Sequence, residues 1–282
     1  MKILVGTLYT IENEFDECVA AINGQSYTNF EHFVLKNLPN KEAHDTLYSA
    51  FMERKDEFDL FIKVDADMVI EDDDLFAKIV NKFRNNDWLK DLEIAVYDFF
   101  SDHLIWGMHT YRNNVTWRHN EEDLFVDVCP IEPHERLYDY QDLAPAAIHC
   151  KNPSLFQSFH CGVHRALKVL QAGRNSVMKE YSRSHWENLE RTRRNFLLKK
   201  DRRLGFAVLG AEMTFREEIL PCHLSYANPY LRQLFNGYEA LDSRQLKREI
   251  RKISLKTFAF LPDQLRRKIL RKWHRRIKGD IK

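Results

Sequence analysis

The residues in this chain best suited to chemistry are two aspartates one position apart, Asp65 and Asp67, in the segment IKVDADMVIEDDDLF. Two carboxylates so spaced at a strand end offer a dense, oxygen-rich charge to a hard divalent cation. Magnesium or manganese held in this way keeps several waters and is shared between protein carboxylates and the phosphate oxygens of a substrate. The same residues also suit an ordinary turn, with Glu71, Asp72, Asp73 and Asp74 opening a helix and complementing its dipole. Position favours the metal reading for the first pair, because it ends a strongly apolar run at the strand edge where ligands gather in open α/β sheets. The four later acids read better as a helix start.

The elements that must hold this pair follow from periodicity. Residues 2–8 (KILVGTL) read as a buried strand, 13–23 as an amphipathic helix stopped by Gly24, and 31–35 as a second strand. Residues 41–54 form a second helix with Ala43, Leu47, Ala50 and Phe51 on one face, 58–64 (FDLFIKV) a third strand and 72–83 a third helix. Helices returning between strands of this kind make a parallel sheet, since such crossovers are too long for hairpins. The residues after Leu8, Leu35 and Val64 are therefore where chemistry is expected. Residues 93–100 and 104–110 read as further strands, 159–172 and 181–200 as helix-bearing, and 206–209 and 218–222 as short strands. The expected class is α/β, a mixed and mostly parallel sheet flanked by helices.

Composition sets the limits. With 282 residues, 44% hydrophobic and 30% charged, the chain can bury a substantial core. Its net charge of +1 conceals a division: from 241 onward there are 15 basic residues against four acids, while 28 basic and 38 acidic residues precede them. An acidic body, 1–240, thus carries a basic tail, 241–282. Basic charge confined to the tail, without interleaved stacking aromatics, argues against a nucleic-acid role. Five widely spaced cysteines with no C-x-x-C pair fit a reducing compartment. The opening residues meet acids before any signal-like apolar stretch, and no run of about 18 apolar residues occurs. A cytoplasmic location is expected.

Three connected pieces, LVGTLYTIENEFDECVAAINGQSYTNFEHFVL, IKVDADMVI and the late LPCHLSY, resemble the nucleotide-sugar glycosyltransferases of the GT-A fold, in particular the family-2-like group of bacterial polysaccharide enzymes. The resemblance covers the first 85 or so residues well and the rest by sparse landmarks. It implies a GT-A-like core with a basic helical C-terminal extension, a Mn2+ or Mg2+ cofactor and a nucleoside diphosphate sugar donor. Asp65 and Asp67 would hold the metal and the donor diphosphate, with Asp67 the more direct ligand. Thr7, Tyr9 and Glu12 would line the nucleotide pocket, and His223 would complete the metal site. A lone His after a strand equally suits a hydrogen-bonded structural role. After the second strand this chain has LKNLPNKEAHD where the family offers an acidic loop; Asn37 is the residue that would serve the nucleoside there.

Inverting transfer, implied by the same resemblance, needs a carboxylate to take the acceptor hydroxyl's proton. Glu187 in SHWENLERTRRN resembles the family's W-E-D motif, with Asn188 in place of the second carboxylate. Glu212 follows an apolar run and a Gly-Ala turn that lets backbone approach a ligand. Both stay open, as do their structural alternatives: pairing of Glu187 with Arg191, and capping by Glu212. His160 and His164, at i and i+4, read as packing or acceptor contacts.

Residues 263–278 (DQLRRKILRKWHRRIK) carry Leu265, Ile269, Leu270, Trp273 and Ile277 on one helical face and basic residues on the other. Such a helix either docks on an anionic membrane surface, bringing a lipid-linked or glycan acceptor within reach, or packs on the acidic body. The function expected is transfer of a sugar to a hydroxyl of a bacterial surface glycan or lipid-linked acceptor. A nucleotidyltransferase acting on a sugar phosphate and a non-catalytic membrane or polyanion adaptor are the rivals.

Overall fold

The computed structural model describes residues 1–118, 124, 131–132, 135–171, 176–216 and 218–260. The basic amphipathic segment 263–278 lies outside the described residues.

The chain opens with β1 (Ile3–Tyr9), α1 (Phe15–Asn23), β2 (Phe30–Lys36), α2 (Asn40–Glu53) and β3 (Leu60–Lys63). β1 pairs in parallel with both β2 and β3, as two successive βαβ crossovers require. β1 and β3 are apolar because both sheet faces are covered: Ile3, Val5, Leu60 and Ile62 are buried in one core cluster, and Leu4 and Phe61 in another with Leu47 and Phe51 of α2. β4 (Met68–Val69) follows, then α3 (Leu75–Arg84), whose Leu75, Phe76, Ile79, Val80 and Phe83 form its buried face.

β5 (Asp91–Asp98) and β6 (His103–Arg112) form an antiparallel hairpin, and β6 also runs antiparallel to β3. β7 (Thr116–Trp117) and β8 (Ile131–Glu132) make a separate two-stranded ribbon. β9 (Arg136–Asp139) and β10 (Ile148–His149) both pair in parallel with β5. The sheet order is β2-β1-β3-β6-β5-β10-β4, with β9 also on β5. The fold is thus α/β, a mixed and mostly parallel sheet flanked by helices.

The second half is helical: α4 (Leu155–Gln171), α5 (Ser176–Lys199), α6 (Arg202–Phe215), α7 (Pro229–Asn236) and α8 (Ser243–Phe260), with a 3-10 turn at Pro221–His223. Two expected strands are corrected here. Residues 206–209 lie inside α6, and 218–222 form no strand among the described residues. The run LGFAVLGA is apolar on every side because α6 is buried along most of its length, and an all-apolar run does not distinguish a buried strand from a buried helix. α4 and α6 cross with almost no space between backbones: a Cβ on Gly162 would sit 1.8 Å from the Ala207 carbonyl oxygen, and one on Gly210 2.2 Å from that of Phe159. This contact seats α4, which carries much of the site. Leu246, Ile250 and Ile253 of α8 are buried in the same helical core. No helix among the described residues is long and apolar enough to cross a membrane.

Candidate active site

β3 ends at Lys63, and the chain then runs along the carboxyl edge of β1, with Val64 and Ala66 donating to the carbonyls of Gly6 and Leu8 at 3.1 and 3.2 Å. A turn closed by Met68 N–H on the Asp65 carbonyl, at 2.9 Å, sends it into β4. Asp65 and Asp67 both line a cavity of about 1030 Å³ that opens over this edge. The strand-end placement expected from the apolar run is therefore observed.

Register brings a histidine to the pair. β10 lies between β4 and β5, so that His149 is opposite Met68 on one side and opposite Asp98 on the other. Its Nδ1 is 2.8 Å from Asp98 Oδ1 and its Nε2 3.3 Å from Asp67 Oδ2. Asp98 is fully buried, takes two hydrogen bonds from the Arg165 guanidinium at 2.8 and 3.1 Å, and accepts the Ser101 N–H at 2.7 Å. Cys150 follows in the left-handed region at φ 53°, its N–H on the Asp67 carbonyl at 2.7 Å and its Sγ 3.4 Å from Asp67 Oδ2. Backbone held in that region by a β-substituted residue stores strain of the kind found at functional sites.

The electrostatics follow from this chain of contacts. Burial pushes the Asp67 carboxyl up, but the adjoining His149 and the Cys150 thiol more than offset that and hold it below the usual carboxylate range. Burial likewise opposes a charged Asp98, yet Arg165 and His149 keep it far below its ordinary value. His149 is disfavoured as a cation by burial, but its acidic neighbours raise it well above the usual imidazole range. Asp65 sits differently: the buried Lys63 ammonium is 2.8 Å from its Oδ2.

Asp67 Oδ1 is buried with no hydrogen-bond partner, which is costly for a carboxylate unless a cation or water takes the lone pairs. His149 presents Nε2 to the same place, with Nδ1 fixed by a carboxylate as in many metal-bound histidines. Asp67 and His149 therefore fit a divalent ion, and Asp67, His149 and Cys150 offer ligand atoms all within 4.8 Å of one another.

Of the other expected residues, Glu12, Asn37, His160 and His164 line the cavity, and Thr7, Tyr9, Glu187, Glu212 and His223 do not. Glu12 folds back on its own turn, accepting from the Thr10 and Ile11 N–H groups; burial, with the charge of Asp67, raises it to about 7 against the lowering effect of those bonds. Asn37 adopts φ 60°, which Asn tolerates, and its N–H bonds the Tyr9 carbonyl at 3.0 Å. Thr7 is fully buried with its hydroxyl 2.9 Å from His32 Nε2, and Tyr9 stacks on Phe15 at 3.9 Å. His223 accepts the Leu220 N–H at 3.1 Å and packs against Tyr230, while the following segment, Leu224 to Ala227, does line the cavity. Glu187 pairs with Arg183 at 3.0 Å rather than Arg191, and the buried Glu212 with Arg193 at 3.1 Å.

α4 and α5 also line the cavity, α4 through His160, His164 and Lys168 and α5 through Glu180, Tyr181, Ser184 and His185. His160 is held by the Leu224 carbonyl at 2.6 Å and stacks on Tyr226 at 3.7 Å; burial lowers it to about 4 despite that bond. Glu14 ties the two halves together: its carboxylate accepts from Asn152 N–H and Gln157 Nε2, both at 2.8 Å. Sequence reasoning missed His149, Cys150, Asp98 and Arg165. For His149 and Cys150 the signal was the short apolar stretch ending in I-H-C; Asp98 and Arg165 lie in the expected strand 93–100 and the expected helix 159–172.

No family model matches the sequence, and no curated protein sequence matches it. Solved structures do overlay on it. The mannosyltransferase PcManGT from Pyrobaculum calidifontis, determined with GDP-Man and Mn2+, is 10% identical over 91% of this chain and 86% of its own, with a TM-score of 0.37. TarS 1–349 of S. aureus is 12% identical over 85% and 91%, with a TM-score of 0.32. A197 from STIV is 19% identical over 34% of this chain, which spans 47% of that protein, with a TM-score of 0.27. Similarities of this size bear on neither donor nor acceptor.

Proposed function

We propose that this chain is a metal-dependent glycosyltransferase that moves a sugar from a nucleoside diphosphate sugar to a hydroxyl of a surface glycan or lipid-linked acceptor, with inversion. The observation that carries the reading is the position of Asp65 and Asp67, at the carboxyl edge of a parallel βαβαβ unit, on the wall of a cavity large enough for such a donor.

Asp67 and His149 would hold the cation, with Asp65 beside them; His149 takes the place that the sequence resemblance gives to His223, which lies off the cavity wall with its Nδ1 on the Leu220 N–H. A cation bound there neutralises the negative charge that grows on the departing diphosphate. Lys63 holds the Asp65 carboxylate in place, so that this group meets the donor preoriented. Glu12 and Asn37 face the nucleoside, with Thr7 and Tyr9 shaping the strand end behind them. The α4–α5 lobe, with its His and Lys side chains, receives the acceptor. The proton of the attacking hydroxyl goes to a carboxylate: Glu187 and Glu212 are the proposals from sequence, and Glu180, which lines the acceptor lobe, joins them. The basic segment 263–278 would dock the enzyme, as a peripheral cytoplasmic protein, on an anionic membrane face.

The test is a thermal-shift screen of nucleoside diphosphate sugars with manganese or magnesium present, because a ligand that binds only the folded form raises its melting temperature. At least one donor should stabilise the wild type in a chelator-sensitive way, and Asp67→Asn should lose that shift. A panel that stabilises nothing, or shifts that persist in chelator and in the variant, would overturn the reading.

A further inference from the structure

The three donor atoms beside the aspartate pair form a triangle: His149 Nε2 to Asp67 Oδ2 is 3.3 Å, Cys150 Sγ to the same oxygen 3.4 Å, and Sγ to Nε2 3.6 Å. In a tetrahedral complex the ligand–ligand edge is about 1.6 times the bond length, so bonds of about 2.0–2.3 Å to O, N and S give edges of about 3.3–3.7 Å. Octahedral magnesium, with bonds of about 2.0–2.1 Å, needs edges near 2.9 Å and takes no thiolate. The observed triangle matches one face of the tetrahedron, and all three residues line the cavity.

We propose that Asp67, His149 and Cys150 form a three-ligand tetrahedral centre that takes a zinc-class ion, zinc or cobalt, in preference to magnesium. The centre lies where the preceding section places the cation and rests on that reading only for its location. Asp98 and Arg165 complete it from behind: Asp98 holds Nδ1 of His149, which leaves Nε2 to the metal, and Arg165 fixes Asp98. The fourth position stays open to water or a phosphate oxygen, as in three-ligand catalytic zinc sites. Binding releases the Nε2 proton of His149 and the thiol proton of Cys150 to the buffer. The dication replaces two protons, and the net charge of the cluster is unchanged.

Cobalt titration of the metal-free full-length chain tests this through the near-ultraviolet thiolate-to-cobalt absorption. The expected result is one equivalent of cobalt with that band, displaced by stoichiometric zinc and unaffected by a large excess of magnesium. Cys150→Ser should lose the band, and His149→Ala and Asp67→Asn should weaken cobalt binding by at least about 10- to 100-fold, the loss usual even for residues behind the ligands. Circular dichroism melts confirm that each variant is folded, and Cys222→Ser, which alters an exposed cysteine, should change nothing. A band that survives Cys150→Ser, cobalt binding indifferent to Asp67→Asn and His149→Ala, or ready displacement by magnesium overturns the proposal. Donor binding with magnesium and no cobalt band would sink this centre alone; a cobalt centre without any donor binding would sink the transferase reading alone.

Discussion

Asp98→Asn is the substitution whose cost the structure fixes best. Asp98 is fully buried and meets four hydrogens: two from Arg165, one from His149 and one from the Ser101 N–H. An asparagine keeps one acceptor oxygen and turns an NH2 toward donors that have no use for it. The larger effect is charge. Arg165 is itself buried, with Phe100 beneath its guanidinium at 5.7 Å, and the substitution strands that cation. Removing one partner of a buried ion pair costs about 3–5 kcal/mol, because the desolvation of the other is then uncompensated. Against a total stability of about 5–15 kcal/mol this is a large fraction.

Urea unfolding followed by circular dichroism reads the loss directly. A destabilisation of about 3–5 kcal/mol is expected at neutral pH. The pair Asp98→Leu with Arg165→Met should recover much of it, since exchanging a buried ion pair for apolar residues is often close to neutral; His149 and Ser101 N–H would still lack their acceptor, at about 1–3 kcal/mol each if water does not reach them. If Asp98→Asn costs under about 1 kcal/mol, or if the double variant loses the sum of its single losses, Arg165 is not the group being neutralised and the account of Asp98 as the support of His149 fails.

Three further outcomes follow from the same geometry. Gly162→Ala should lower stability by about 1–3 kcal/mol or more, by forcing α4 off α6, whereas Gly237→Ala, whose nearest atom is 3.4 Å away, should be near neutral; equal melting temperatures for the two would contradict the close crossing. Glu12 is raised from 4.5 to about 7, so the folded state holds its proton more tightly than the unfolded chain, and the stability this contributes at acid pH is lost as pH rises through about 7. Glu12→Gln should therefore stabilise the protein above pH 7, by at most about 3 kcal/mol, with the advantage vanishing below about pH 4.5; a pH-independent difference would refute this. Among Glu180→Gln, Glu187→Gln and Glu212→Gln, the variant that removes the proton acceptor should bind donor normally yet lose turnover by about a hundredfold or more; full transfer by all three excludes every one of them.

The legible parts of the fold were those set by local pattern. β1, β3 and the helices between them show in sequence because each buries a continuous run or a single stripe, and the strand-end position of Asp65 and Asp67 comes with them. β4 and β10 are two residues each, so they have no period to detect and exist only as pairings with partners far along the chain. With them His149 was illegible: what makes it a candidate ligand is a register that sets Asp98 on one side and β4 on the other. α6 was misread as strand for the opposite reason, a pattern too uniformly apolar to have a face.

The two aspartates of the pair, equivalent in the sequence, are made unequal by what stands behind each. Asp65 is met by Lys63, the last residue of β3, whose buried ammonium stands 2.8 Å from its Oδ2. Asp67 is met instead by His149, an imidazole, which gives up a ring proton more readily than an ammonium does and is a common metal ligand. A cation at Asp65 would have to compete with a buried ammonium 2.8 Å away, whereas one at Asp67, in the centre we propose, would replace the proton on Nε2 and keep the imidazole as a ligand. The Nδ1 hydrogen bond to Asp98, itself fixed by Arg165, is what holds that imidazole in a single orientation. The structure therefore divides the pair: Asp67 stands against His149, its partner in the metal site we propose, and Asp65 is held in place by Lys63.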